Sequence, residues 1–114
     1  GLMVLREVNG KTYNFNPLSF RAIEDLEKQL GYGLYKFISN ADKFSIKEIE
    51  TALYCFSRET NPVNREILQG WVADSGINFL VEIVNECIIQ ILQGQPKPIS
   101  SSSSSDKKKA KVAS

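Results

Sequence analysis

Three acids close together are the first residues in this sequence whose types and spacing could do chemistry. Glu24, Asp25 and Glu27 fall within four positions. Residues three apart share a helical face, so Glu24 and Glu27 could form the carboxylate pair that general acid–base catalysis uses. Lys28 stands four residues after Glu24, the spacing of an ordinary surface ion pair, and a solvated face is the simpler reading. There is no histidine in the 114 residues. That removes the commonest general base, the commonest metal ligand and every triad built on an imidazole. Cys55 and Cys87 form no CxxC pair and have no histidine to complete a zinc site. Both sit among apolar residues and read as buried, reduced thiols, with a disulfide or a reactive thiol as the alternatives. Gly31-Tyr32-Gly33 is not a phosphate loop, and neither GxxxxGK(S/T) nor GxGxxG occurs in the chain. The reading is therefore a protein that is not an enzyme, with no catalytic, cofactor-binding or metal-ligating residue and no cofactor. Its work would be binding.

The candidate binding residues are aromatic, aliphatic and basic. Tyr and Trp concentrate at interface hot spots, which singles out Tyr32, Tyr35, Tyr54 and Trp71. Tyr32 and Tyr35 flank a glycine turn and suit an interface or the core equally; Trp71 suits core packing better. Ile83 and Ile89 become contacts if the last helix faces a partner. Lys107, Lys108 and Lys109 would grip an acidic partner if the basic end of the chain acts as an arm.

Charge is split along the chain. Residues 95–114 hold five lysines against one aspartate, a net of +4, whereas residues 1–94 hold nine basic and twelve acidic side chains, a net of −3. Phosphate neutralisation supplies most non-specific nucleic-acid affinity, so an acidic body argues against that partner. Six serines, Ser100 to Ser105, and the lysine run that follows bury too little apolar surface to offset ordering. Residues 95–114 are expected to be a disordered Ser/Lys-rich tail, with a partner-gripping arm or a vector-derived extension as alternatives. No stretch reaches the roughly 18 apolar residues of a membrane span, and the start lacks a signal-like run. Gly1-Leu2 read as an addition ahead of a natural start at Met3.

These side chains must be positioned by residues 1–94, expected to be one mostly α-helical domain. Apolar content of 42% and charged content of 24% suit a globular fold with a core. Asn9-Gly10 between Met3–Val8 and Lys11–Asn16 predicts a type I′ hairpin over 3–16. A two-residue loop pairs Val8 with Lys11, Arg6 with Tyr13 and Val4 with Phe15. Val4, Val8, Tyr13 and Phe15 then share one half-buried face with Arg6 along it. A bundle of four to five helices over 17–93 follows. Asn16-Pro17 predicts an N-cap and first helical residue, with Leu18, Ala22, Ile23, Leu26 and Leu30 as the apolar stripe and Gly31 as the stop. Residues 31–40 form a short amphipathic turn or helix. Ser45-Ile46-Lys47-Glu48 is a capping box, with Phe44 and Ile49 as its hydrophobic staple. Asn61 or Asn64 caps the next helix, which ends near Gly76. Helix–Asn61-Pro62–helix could pass for a helix-turn-helix, but residues 64–74 carry one arginine against two acids, a poor recognition helix. The last helix, Ile77 to Gln93, leaves only a narrow polar arc and is either central to the core or turned to a partner.

The order of elements, with Gly10-Lys11, Tyr13, Phe15 and then "AIEDLE" ending at Leu30-Gly31, resembles the small tail assembly chaperones of long-tailed phages and gene transfer agents. The residues carrying it are Gly10, Lys11, Tyr13, Phe15, Ala22, Glu24, Leu26, Glu27 and Gly31, and the likeness spans about residues 3–93. It implies a non-enzymatic protein that binds the tape measure protein, keeps it soluble and is displaced as tail tube subunits polymerise. The implied partners are the tape measure and tail tube proteins, without nucleic acid or membrane, and with self-association open. The implied place is the host cytoplasm during virion assembly, or the bacterial cytoplasm for a prophage gene, and not the mature virion. Family members are often made in two lengths by frameshifting, which a lysine run such as 107–109 could accommodate. The last helix is more apolar than a solvated chaperone surface would suggest, and the Ser/Lys tail has no match in the family. A small helical adaptor or inhibitor domain that binds one folded partner is the alternative.

Overall fold

The structure is a computed structural model that describes residues 4–94. Two strands, β1 (Val4–Val8) and β2 (Lys11–Phe15), precede five helices. These are α1 (Phe20–Leu30), α2 (Leu34–Ser39), α3 (Ile46–Ser57), α4 (Arg65–Ser75) and α5 (Ile77–Gln93).

The hairpin has the predicted register, with Val4 opposite Phe15, Arg6 opposite Tyr13 and Val8 opposite Lys11. Asn9 and Gly10 both take positive φ, 54° and 79°, as a type I′ turn demands. The inward face buries Val4, Tyr13 and Phe15. A lone hairpin is marginal in water. This one is stitched to the helices: Asn16 N–H donates to the Phe56 carbonyl at 2.8 Å, and Arg6 pairs with Glu86 on α5. Thr60 Oγ1 and Asn61 Nδ2 donate to the Asn14 and Thr12 carbonyls at 3.0 and 2.7 Å.

The predicted start of α1 is corrected. Asn16 Oδ1 accepts from Leu18 N–H at 3.1 Å, two residues on, which makes a turn and not a helix cap. Ser19 is the N-cap, its Oγ accepting from Ala22 N–H at 3.2 Å. Pro17 is buried in the turn and Leu18 precedes the helix. Gly31 closes α1 at φ 85°, as expected. Residues 34–39 are helical, and the Ser45/Glu48 capping box opens α3 with both reciprocal bonds present. Asn64, not Asn61, caps α4 by accepting from Ile67 N–H at 2.9 Å.

The core lies where α3, α4 and α5 meet the hairpin and α1. Phe15, Leu26, Phe37, Leu53, Ile83 and Val84 are fully buried. Trp71 stands edge-on to Tyr13 at 4.9 Å and to Phe79 at 5.6 Å between ring centroids, joining strand, α4 and α5. The last helix is thus central to the core along one arc, yet Ile89 and Leu92, off that arc, and Ile77, at its first position, are exposed.

Candidate partner-binding surface

The three clustered acids are occupied by the fold. Glu27 is half-buried and takes the Leu34 N–H at 2.8 Å, supplying the cap that Gly33 cannot give α2. Asp25 pairs with Arg58 across to the end of α3. Glu24 alone remains exposed, so the expected solvated face holds for one acid of the three. Cys55 and Cys87 are buried and unpaired. Burial, with Asp25 nearby and Arg58 opposing, pushes the Cys55 thiol up to about 11. Burial also pushes the Cys87 thiol well above its ordinary value. A neutral buried thiol is a poor nucleophile.

Among the described residues Glu48 is the one buried acid, and its carboxylate organises the segment between α1 and α3. Oε2 accepts from the Tyr32 hydroxyl at 2.6 Å and from Asn40 Nδ2 at 2.7 Å; Oε1 accepts from Ser45 N–H at 2.8 Å. Burial alone would raise its pKa, but the Ser45 amide, Tyr32 and Asn40 outweigh it and hold the carboxyl below its ordinary value. The hydrogen bond to Glu48 in turn raises Tyr32 to about 12, with burial and the carboxylate charge adding. This cluster fixes α2, and with it Tyr35.

Tyr35 sits on the rim of an apolar cleft. Leu18, Ile23, Leu34, Ile38 and Ile91 line it, and Phe20, Tyr35 and Leu92 stand at its edge. Phe20 is 83% exposed, Tyr35 79% and Leu92 58%. Ile89, at 53%, lies one turn back from Leu92 on α5. At those exposures the four side chains present roughly 400–500 Å² of surface. That is the size of the largest apolar patch on a typical monomer, which is often functional. It falls short of the ~800 Å² per partner of a stable protein interface.

A second apolar groove lies towards the start of α5. Ile46, Ile49, Leu68, Val72, Ile77 and Leu80 line it. A two-pronged ion pair, Arg65 Nε and Nη2 to the Glu50 carboxylate at 3.0 Å each, joins α3 to α4 beside it. The two features share no lining residue.

Of the residues singled out in the sequence, Tyr35 and Ile89 are on the surface near this cleft. Tyr32 is partly buried, held by Glu48, with Lys36 Nζ 5.1 Å from its ring centroid. Trp71 and Ile83 are corrected as contacts: both are buried, Trp71 between Tyr13 and Phe79 and Ile83 on the core arc with Leu80, Val84 and Cys87. Lys107, Lys108 and Lys109 lie outside the described residues. Phe20 and Leu92 were missed. The signal for Phe20 was its place off the Ala22–Leu26 stripe of α1, since an aromatic off the apolar face has no core to enter.

No protein-family model, curated protein or solved structure matches the chain. Among the described residues no helix alone is long and apolar enough to cross a membrane; α4 and α5 reach that composition only together, bent by 115°.

Proposed function

We propose that this protein is a non-enzymatic tail assembly chaperone that holds an apolar helical stretch of a tape measure protein until tail tube subunits displace it. The observation that carries the reading is the ridge of Phe20, Tyr35 and Leu92 over an apolar cleft. A ridge of this kind suits a helical client that presents apolar side chains at i, i+3/i+4 and i+7. Its area is in keeping with the role. A patch well below the size of a stable interface gives weak, reversible binding, and many copies along one client supply retention through avidity. The resemblance of residues 3–93 to tail assembly chaperones supports the identity of the client.

Co-expression with the tape measure protein of the same operon tests this. The client should stay in the soluble fraction with the wild-type chain and precipitate with Phe20→Asp/Tyr35→Asp. A client that precipitates despite excess wild-type chain would overturn the reading. A defined one-to-one complex with a folded protein, formed through the same ridge, would favour the adaptor alternative.

A further inference from the structure

We propose that the outer edge of β1 pairs with β1 of a second copy of this chain, joining two two-stranded hairpins into one antiparallel sheet. The hydrogen bonds of the hairpin point there. Thr60 and Asn61 donate to the Asn14 and Thr12 carbonyls from outside the ribbon, so these two residues turn their backbone groups away from β1. Leu5 stands opposite Asn14 and Glu7 opposite Thr12. Both are therefore the non-hydrogen-bonded kind of pair, and the Leu5 and Glu7 backbone groups also aim outwards. On β2 the outer side is occupied: besides those two carbonyls, Asn16 N–H is taken by the Phe56 carbonyl. On β1 it is open. Among the described residues Arg6 Nη1 donates to the Leu5 carbonyl at 2.8 Å, and no group bonds Leu5 N–H, Glu7 N–H or the Glu7 carbonyl. Buried backbone polar groups are nearly always paired, so these face solvent.

The strand is its own complement. Strand edges are usually kept apart by lysine, proline or a bulge. Val4-Leu5-Arg6-Glu7-Val8 has no lysine, no proline and an unbroken register. Leu5 is 55% exposed, and Glu7 is exposed too. Set antiparallel about a two-fold axis at Arg6, Leu5 of each copy stands opposite Glu7 of the other. Every outward N–H of one copy then meets an outward carbonyl of its mate. On the inner face Val8, half-buried in the single chain, gains Val4 of the second copy as a neighbour. The two Arg6 side chains meet near the axis, but each is already neutralised by its own Glu86. Two ion pairs are brought together there, not two bare charges. Such a self-matching patch is what a two-fold contact requires. A five-residue strand from each copy makes a small contact, of the weak and reversible class below about 1,200 Å². Phe20, Tyr35 and Leu92 take no part in it, so it is independent of the ridge as a client-binding face.

Sedimentation equilibrium and amide hydrogen exchange on the full chain, across about 10 µM to 1 mM, test this. A monomer–dimer equilibrium should appear. Exchange at Leu5 and Glu7 should slow as the dimer fills, while Arg6 and Val8, whose amides already bond to β2, change little. Leu5→Glu and Leu5→Lys alter an exposed side chain and leave the hairpin's own bonds intact. Each sets its charge opposite Glu7 twice per dimer, so Leu5→Lys should dimerise at least ~5-fold more tightly than Leu5→Glu. A monomer at every concentration would overturn the proposal. So would equal dimerisation of the two variants. A dimer lost with Phe20→Asp and kept with Leu5→Glu would overturn it by moving the contact to the ridge. Leu5 and Glu7 amides protected at every dilution would give the edge to another segment of this chain, and protection that needs added client would give it to the client; either result removes the second copy as the occupant.

Discussion

The Tyr32 hydroxyl donates to Glu48 Oε2 at 2.6 Å, and the two residues are 16 positions apart. With Asn40 and Ser45 on the same carboxylate, one buried acid holds the start, middle and end of the segment that carries α2. Glu48→Ala should therefore cost about 2–4 kcal/mol, because it removes the capping-box acceptor and leaves several donors without a partner. Glu48→Gln, which keeps one acceptor oxygen, should cost less. Urea unfolding of both variants checks the order, and equal stability of Glu48→Ala and wild type would contradict the central role of this carboxylate.

The same cluster should contribute to the pH dependence of stability. The Glu48 pKa is lowered in the folded state, so its contribution is present above the unfolded carboxyl value and is lost as pH falls through the folded one. Tyr32 is raised to about 12, so its contribution is present below the unfolded value near 10 and is lost as pH rises through about 12. Stability measured across pH should fall at both ends. Glu48→Gln should flatten the acid limb, and Tyr32→Phe should flatten the alkaline one.

Two aromatic side chains should behave in opposite ways. Trp71→Ala opens a cavity between Tyr13 and Phe79 and should cost roughly 3–5 kcal/mol. Phe20→Asp alters a side chain 83% exposed and should change stability by no more than ~0.5 kcal/mol. Only Phe20→Asp should release a client from an otherwise folded chain. Denaturant midpoints and client solubility, measured on the same preparations, separate the two effects.

The thiols should be silent until the chain opens. Cys55 and Cys87 are 3% and 0% exposed, and both thiols are held neutral. A thiol-specific disulfide reagent at pH 8 should label neither in the native protein and both in urea. Rapid native labelling of Cys55, which lines a surface depression together with Asp25 and Arg58, would contradict its burial.

What could be read in the sequence was local. The hairpin register follows from Asn9-Gly10 and strict alternation, and the α3 capping box from four consecutive residues, because these bonds join near neighbours. The start of α1 failed because Asn16 and Ser19 are both good capping residues, and only the three-dimensional path decides which one reaches an amide three positions on. The partners of Glu48 were hidden for a related reason: Tyr32 and Asn40 reach it from 16 and 8 positions away. The helix 77–93 is apolar almost all round, so its composition could not say that Ile83 turns inward and Ile89 outward. That choice is made by where α3, α4 and β1 press on it.

Arg6 on β1 reaches Glu86 on α5, 80 positions later in the chain. Among the described residues the first strand is therefore joined to the last helix. A two-stranded ribbon is marginal in water unsupported, so β1 lacks part of its support until α5 has been made. Contacts of such long range slow acquisition of the native state, and a stop before α5 would leave β1 without the helix it packs against and Arg6 without Glu86.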